Sequence, residues 1–455
     1  MKTEMTIPQA ALDALEQLNR AGFSAWLVGG CVRDLLMGRT PGDYDITTAA
    51  RPEQVEAVFA GERIIETGLK HGTVTVLLGG LPLEITTYRQ EAAYSDHRHP
   101  DAVRFAPSLE ADLSRRDFTV NAMAWHPAEG LVDLFGGRED LKAGIIRCVG
   151  RPEQRFSEDA LRILRALRFA SVLGFRLDGE TRRAALERRE LLSHVSRERI
   201  AAELTGILCG KDVRRVVTEL WPVLAVPIPE LADMAGFEQH SPYHCYDVLT
   251  HCAAAAEAVP PEQTVRWAAL LHDAGKPACF TVDEQGRGHF YGHAKQSAHL
   301  AETVLTRLRF DRDTVRRVTR LVELHDYPID PPDGSPERAV RRLLGRLGEE
   351  DFFFLLDLKK GDALAHAPQF RGRARACDRL GQLARQMLEQ KQCFSLKQLA
   401  VNGSDLLGLG VPPGPAVGKL LQRLLEAVLS GETPNERQAL LELADTLRGS
   451  GQDPE

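Results

Sequence analysis

Residues 26–46, WLVGGCVRDLLMGRTPGDYDI, constrain the fold more than any other stretch of the chain. Ala25–Val28 is an apolar run that suits a buried strand, and Gly29-Gly30 ends it. A short helix over Cys31–Met37 is expected next, after which Gly38 and Thr40–Gly42 turn the chain into a second strand, Tyr44–Ile46. Glycines before a helix let the backbone approach a ligand closely, and the free N–H groups of the first turn attract phosphate. Asp43 and Asp45 are two apart on a strand, so both carboxylates leave one face. Side by side they repel unless a cation lies between them, and Mg2+ is the usual partner of carboxylates and phosphates together. Either half alone is common in ordinary loops. Together, and this close, they point to nucleotide chemistry.

The 455 residues have room for about three domains. No apolar run reaches the length of a membrane span, and the first residues lack a signal-peptide core. They suit an amphipathic helix instead, with Ala11, Leu12, Leu15 and Leu18 on one side. Eight cysteines are scattered with no C-x-x-C pair, which fits reduced thiols in a cytoplasm and argues against a disulfide framework or a zinc ribbon. The net charge of −7 does not advertise nucleic acid, but it hides basic regions. Residues 151–216 hold 15 Lys/Arg against 10 Asp/Glu, and residues 336–391 hold 12 against 8. Basic stretches in an acidic protein suit contact with RNA along a limited path, and solvated helix faces account for them equally well.

Further along, Pro52 opens a helix through Phe59, and Thr73–Leu78 and Leu83–Tyr88 flank Gly79-Gly80 as a hairpin. Glu84 on the second of these strands is a candidate third carboxylate, although an exposed strand residue is the simpler reading. The polar stretch 87–105 has little periodicity and reads as a mobile loop. Ser108 caps a helix with Glu110 and Asp112 in its first turns. Residues 131–150 read as a strand, a Gly-Gly turn and a return strand. A helix is then expected from Ser157 to near Gly174, carrying Asp159, Arg162, Arg165 and Arg168 at every third position. Such a stripe drifts backwards by about 60° per step, so Arg168 falls opposite Asp159 and one ligand cannot meet all four.

Taken in order, these motifs resemble the nucleotidyltransferase superfamily that includes the tRNA CCA-adding enzymes and bacterial poly(A) polymerases. Gly29-Gly30 with Asp43-x-Asp45 resembles the first motif of the family, Arg115-Arg116-Asp117 with Asn121 the second, and Glu158-Asp159-x-x-Arg162 the base-reading motif. The resemblance implies that Asp43 and Asp45 hold Mg2+, and that Gly29, Gly30, Arg33 and Arg116 contact the triphosphate. Asp117 and Asn121 would orient the site or the ribose. Asp159 and Arg162 would read the base, with Arg165 and Arg168 as further nucleotide contacts. The chemistry agrees with that role. Ionised Asp only accepts and Arg only donates. Cytosine and adenine each present an amino donor beside a ring acceptor, whereas guanine and uracil present the reverse. One Asp–Arg pair therefore admits C and A, a match worth about 1–3 kcal/mol. On residues alone, an i, i+3 salt bridge would explain the same pair. Ser196–Leu208 resembles the next motif and reads as support for the reading helix, with Glu198 and Arg199 outside catalysis.

From Phe237 a second chemistry begins. His251, His272-Asp273, His293 and His325-Asp326 follow in order around a G-H-x-x-x-S-A segment, and they resemble the HD phosphohydrolases. The resemblance implies a divalent transition metal on His251, His272, Asp273 and Asp326, with His293 serving a second metal or a phosphate and Lys276 close by. His240, His244, His289 and His299 read as surface or core histidines. The C-terminal stretch 411–435 resembles the tRNA-gripping tail of the CCA-adding enzymes.

The expected fold class is α+β. A polymerase-β-like mixed-sheet nucleotidyltransferase head (1–150) is followed by a helical neck (151–235), an HD domain (236–335) and a helical RNA-binding body and tail (336–455). The expected function is template-independent addition or repair of the 3′ CCA of tRNA from CTP and ATP, with Mg2+, in the cytoplasm and without a membrane. The alternatives are a poly(A) polymerase, a partial CC- or A-adding enzyme, and an HD phosphohydrolase with a degenerate head. The intact Asp43, Asp45, Arg116, Asp159 and Arg162 argue against the last.

Overall fold

The computed structural model describes residues 6–65, 72–91, 103–106, 108–328, 336–390 and 392–449. Helix α1 (Gln9–Arg20) buries Ala11, Ala14, Leu15 and Leu18, the one-faced set of an amphipathic helix. The apolar run Ala25–Val28 is strand β1, buried throughout. It is followed by α2 (Gly30–Leu36), β2 (Tyr44–Thr48), α3 (Pro52–Val58), β3 (Arg63–Ile65), β4 (Thr73–Leu78) and β5 (Leu81–Thr87). Gly79 and Gly80, at φ 56° and 83°, form the two-residue turn between β4 and β5 and pair Leu78 with Leu81. Two successive positive φ values are what the twist of such a hairpin favours.

The stretch expected as a loop contributes backbone pairing at both ends: β6 (Arg89–Glu91) runs antiparallel to β7 (Val103–Phe105). The part of that expectation covering 92–102 lies outside the described residues. Helix α4 (Leu109–Ser114) begins at Ser108, whose Oγ accepts the Ala111 N–H at 3.3 Å. Strands β8 (Met123–His126) and β9 (Gly130–Asp133) complete a seven-stranded mixed sheet in the order β3-β4-β5-β2-β1-β8-β9. Strands β2 and β5 run parallel, which sets Asp45 opposite Glu84. Side chains alternate across the sheet. One face carries the larger core, with Leu27, Ile46, Leu83, Ile85 and Phe59, and the other a thin layer of Trp26, Val28, Tyr88, Leu113 and Ala124. Asp45 pairs with Val28 and so lies on the thin side.

Two expectations are corrected here. After β9 the chain forms a helix, α5 (Gly137–Ala143), where a return strand was expected. The Asp133 carboxylate accepts the Gly137 and Arg138 N–H groups, both at 2.8 Å, and Glu139 and Asp140 favour the helix start electrostatically. The single helix expected from Ser157 is two, α6 (Pro152–Glu158) and α7 (Leu161–Leu173), separated at Asp159, which is extended at φ −138° and ψ 106°. Helix α7 is buried around most of its circumference and ends at Gly174, left-handed at φ 68°. Helices α8 (Gly179–Glu187) and α9 (Arg197–Leu208) follow.

The chain divides into two compact units, 1–232 with 307–309, and 233–306 with 310–455. The second unit is almost entirely helical. Within it, the alanine-rich helix Val248–Ala258 packs against the helix Glu349–Ala365. Gly361 permits the close approach, because a Cβ there would stand 2.6 Å from Val259 Cγ1 and 2.9 Å from the Ala255 carbonyl oxygen. Among the described residues, no helix is long and apolar enough to cross a membrane.

Candidate active site

A cleft of about 350 Å³ opens on the thin side of the sheet, lined by Asp45, Glu84, Arg116, Asp117, Asp159 and Arg162 among others. Asp43 lies exposed just ahead of β2, and Asp45 is half-buried within it. Burial first, then the neighbouring Asp43, pushes the Asp45 carboxyl up to about 6; Arg116 opposes the rise and Glu84 adds to it. Glu84, for which an exposed strand position was the simpler reading, is exposed and also faces the cleft. Asp43 and Glu84 both act on Asp45 electrostatically, but Asp43 does not line the cleft and the three carboxylates are not drawn together as closely as one ion's ligands would be.

The Arg116 guanidinium lies over Gly29. A Cβ at Gly29 would stand 3.0 Å from Arg116 Nη1 and 3.5 Å from Asp45 Oδ2, and the residue adopts φ +77°, a conformation open essentially to glycine alone. Arg116 Nη2 donates to Asp112 Oδ2 at 3.2 Å, while its buried Nε has no hydrogen-bond partner. The guanidinium itself, with one terminal nitrogen held by Asp112, lines the cleft.

The other arginines expected at the nucleotide are more heavily engaged. Arg33 is buried, donates to Asp34 at 2.9 and 3.0 Å and to Asn121 Oδ1 at 2.8 Å, and does not line the cleft. Arg165 lines the cleft but pairs with Asp117 at 2.7 Å. Burial alone would raise Asp117; Arg165, Arg162 and the Phe118 N–H together hold its carboxyl below the usual range. Arg168 donates to Glu203 at 2.6 Å and is away from the cleft wall. The guanidinium carbons of Arg33, Arg165 and Arg168 all lie within 5.5 Å of the Phe169 ring centre.

Asp159 and Arg162 both reach the cleft. Asp159 Oδ1 accepts the Leu161 N–H at 3.0 Å, satisfying one of the donors left open at the start of α7. Its Oδ2 accepts from Arg199 Nη2 at 3.1 Å. Arg162 donates to Glu158 at 2.7 Å and to the Arg115 carbonyl at 3.2 Å. Arg199, set aside in the sequence as support, thus lines the cleft and holds the Asp159 carboxylate. Asp112, read in the sequence only as a complement to the helix dipole, is fully buried beneath Arg115 and Arg116.

Residues 25–147 match the family description "Poly A polymerase head domain", and residues 289–444 match tRNA nucleotidyltransferase domain 2. The chain is 37% identical to the CCA-adding enzyme of Lactobacillus delbrueckii subsp. bulgaricus, over 95% of this chain and 96% of that one. It is 35% identical to the Bacillus velezensis CCA-adding enzyme, with the same coverage of 95% and 96%. The chain belongs to the CCA-adding enzyme family. Among solved structures it is similar to the Bacillus stearothermophilus CCA-adding enzyme in complex with CTP, with a TM-score of 0.74 and 31% identity, covering 98% of this chain and 99% of that one. A Thermotoga maritima CCA-adding enzyme complexed with tRNA shares the fold at a TM-score of 0.59 and 21% identity, with coverage of 98% and 97%.

The second unit of this CCA-adding family member gathers the His and Asp residues. Among the described residues, three groups have the proximity a metal site needs: His251/His272/Asp362, Cys252/His272/Asp273 and Asp273/His293/His325. Asp273 is central. Its Oδ2 lies 3.4 Å from His251 Nε2 and 3.3 Å from His272 Nε2, and its Oδ1 lies 3.4 and 3.5 Å from the Nε2 atoms of His293 and His325. Lys276 Nζ also reaches Asp273, at 2.6 Å. Asp326, expected as the last ligand, is exposed and belongs to none of the three groups. The carboxylate beside His251 is Asp362, at 3.0 Å, delivered by the helix that Gly361 lets approach.

Proposed function

We propose that this chain adds C and A to the 3′ end of tRNA, transferring a nucleotidyl group from CTP and ATP to the terminal hydroxyl with release of pyrophosphate. The observation that carries the reading is the cleft itself. Asp45 and Arg116 flank Gly29 on one side, and Asp159 and Arg162 line the same cleft. Asp43 and Asp45, with Glu84 beside them, fit Mg2+ as hard oxygen donors, and the upward displacement of Asp45 is the strain a cation would relieve. When bound, such an ion polarises the phosphoryl oxygens and stabilises negative charge on the attacking and leaving oxygens. Arg116 lines the cleft and offers its guanidinium to phosphate oxygens. Asp159 offers an acceptor to the amino group of C or A, and Arg162 offers donors to the ring acceptor next to it. The work is that of a cytoplasmic tRNA-processing enzyme.

The test is a tRNA trimmed of its 3′ end, incubated with each nucleoside triphosphate in turn. C and A are expected to be incorporated, and G and U refused. Equal use of all four refutes base reading. Continuous A addition to unrelated RNA identifies a poly(A) polymerase, and arrest after CC or after A alone identifies a partial enzyme.

A second reading is supported by the tautomers of the His/Asp cluster. The Nδ1 atoms of His272, His293 and His325 each lie 2.6–2.8 Å from the backbone carbonyl three residues earlier, which leaves every Nε2 aimed inward. His272 Nε2 is buried without a hydrogen-bond partner. That donor set fits a divalent transition metal on His251, His272, Asp273 and Asp362, with His293 and His325 for a second ion. The chemistry is metal-dependent hydrolysis of a phosphomonoester or a 2′,3′-cyclic phosphate. Metal content by mass spectrometry is expected to fall in Asp273→Asn, together with that hydrolysis. Unchanged content in the variant sinks the metal site.

A further inference from the structure

Asp112 is fully buried in α4 and does not line the cleft, yet five donors converge on its carboxylate among the described residues. Oδ1 accepts from Arg115 Nε at 3.0 Å, Arg115 Nη2 at 2.6 Å and the Arg89 N–H at 3.3 Å. Oδ2 accepts from Arg116 Nη2 and Thr47 Oγ1, both at 3.2 Å. Thr47 lies two residues beyond Asp45 on β2, so their side chains leave the sheet on the same face. One oxygen atom therefore ties the triphosphate arginine to the strand that carries the metal carboxylate.

That tie has an electrostatic purpose. Arg116 Nη1 and Asp45 Oδ2 both lie within 3.5 Å of the point a Gly29 Cβ would occupy. A guanidinium this close to a half-buried carboxylate would pair with it directly unless something else held it. Asp112 supplies the competing charge from beneath. Burial by itself would raise its carboxyl, but Arg115 and Arg116 outweigh that, so it stays ionised. We propose that Asp112 is a positioning residue that holds Arg116 off Asp45, keeping the carboxylate open for its cation and the guanidinium open for phosphate. The proposal rests on the nucleotidyl-transfer reading above.

The experiment is a double-variant cycle on the full chain with Asp112→Asn, Arg116→Ala and the pair combined, each verified as folded by thermal melting. It is read as CTP affinity by equilibrium dialysis and as kcat and KM on trimmed tRNA, across a Mg2+ titration. Loss of a charge-assisted bond of this kind corresponds to about ten- to a hundredfold in kcat/KM for CTP. Asp112→Asn is expected to show that loss together with a higher Mg2+ requirement, because the freed guanidinium competes with the ion. Since Asp112 acts through Arg116, the combined variant is expected to be no worse than Arg116→Ala alone. Multiplying losses overturn the proposal, and so does an Asp112→Asn protein with wild-type Mg2+ dependence. If Asp112→Asn does not fold, Asp112→Glu carries the same cycle, and its retained charge is expected to hold the Mg2+ requirement within about twofold of wild type; a larger rise overturns the proposal. A wild type that binds CTP but extends no tRNA refutes the transfer reading alone, while additive losses of CTP affinity refute the role of Asp112 alone.

Discussion

Replacing Asp159 with alanine separates its structural contacts from the base reading proposed for it. Oδ1 satisfies the Leu161 N–H at 3.0 Å, and Oδ2 holds Arg199 at 3.1 Å while the side chain faces the cleft. Losing a helix-capping acceptor costs about 1 kcal/mol. The Arg199 pair, whose partners are 35% and 19% exposed, adds no more than about 1 kcal/mol after screening by solvent. For a unit of this size the melting temperature should therefore fall by a few degrees. The base-reading job is larger and selective, at about 1–3 kcal/mol, or roughly ten- to a hundredfold. It is lost for C, whose amino group needs an acceptor, and hardly felt by U, which presents a carbonyl there. The assay is kcat/KM for CTP and UTP on tRNA lacking its 3′ CCA, below the melting transition. Asp159→Ala should depress CTP use by that factor, leave UTP nearly where it was, and so narrow the ratio between them. If both fall together and the ratio is preserved, Asp159 is a helix cap and the base is read elsewhere.

Other perturbations test neighbouring parts of the site. Gly29→Ala forces a side chain to φ +77° and against Arg116, with a strain of about 1–3 kcal/mol, so kcat/KM for CTP should drop more than in Gly30→Ala, where the nearest atom is 3.6 Å from the new Cβ. Equal effects of the two substitutions in steady-state kinetics would contradict the close approach. Asp45 stands at about 6 without its cation, so protons compete with Mg2+ below that value and not well above it. The Mg2+ half-saturation should climb as pH falls through 6, by about tenfold per unit at the limit; a flat profile between pH 5 and 7 in a Mg2+ titration of CTP binding is the contrary result. Arg168→Gln removes the partner of Glu203 at 2.6 Å and should cost about 1–3 kcal/mol of stability by denaturant titration, with KM for CTP within about twofold. A KM change as large as that of Arg162→Ala returns Arg168 to the nucleotide.

What was legible in the sequence is what local geometry determines. An aspartate inside a strand and glycines ahead of a helix are set by local geometry, so Gly29 and Asp45 could be found without a partner strand. Asp43, expected on the same strand face, lies exposed ahead of β2 and does not line the cleft. Glu84 could not be found that way, because its place opposite Asp45 depends on the parallel pairing of β2 with β5 across an intervening helix and two strands. The break at Asp159 contains neither Pro nor Gly, so the hydrophobic pattern runs straight through it; the signal available was an Asp just ahead of an apolar helix, which is also how a cap is written. Gly136-Gly137 suggested a hairpin, although Asp133 before it and the acidic turn after it spell a helix start. Asp326 follows His325 just as Asp273 follows His272, and that parallel misleads: past the end of the helix Arg312–Leu324, Asp326 is exposed, while a glycine contact between two distant helices brings Asp362 to His251.

The arginines carry this distinction furthest. A motif arginine implies that an anion is near it, but its spacing does not say which one. Asp34 and Asn121 take Arg33, Asp117 takes Arg165, and Glu203 takes Arg168, so these three are committed to the protein's own groups. Arg116 alone of the four keeps a buried donor without a partner, and it does so because Asp112 engages only its far nitrogen. Which guanidinium the protein's own carboxylates engage fully and which they do not is a property of the packed structure that arginine spacing cannot reveal.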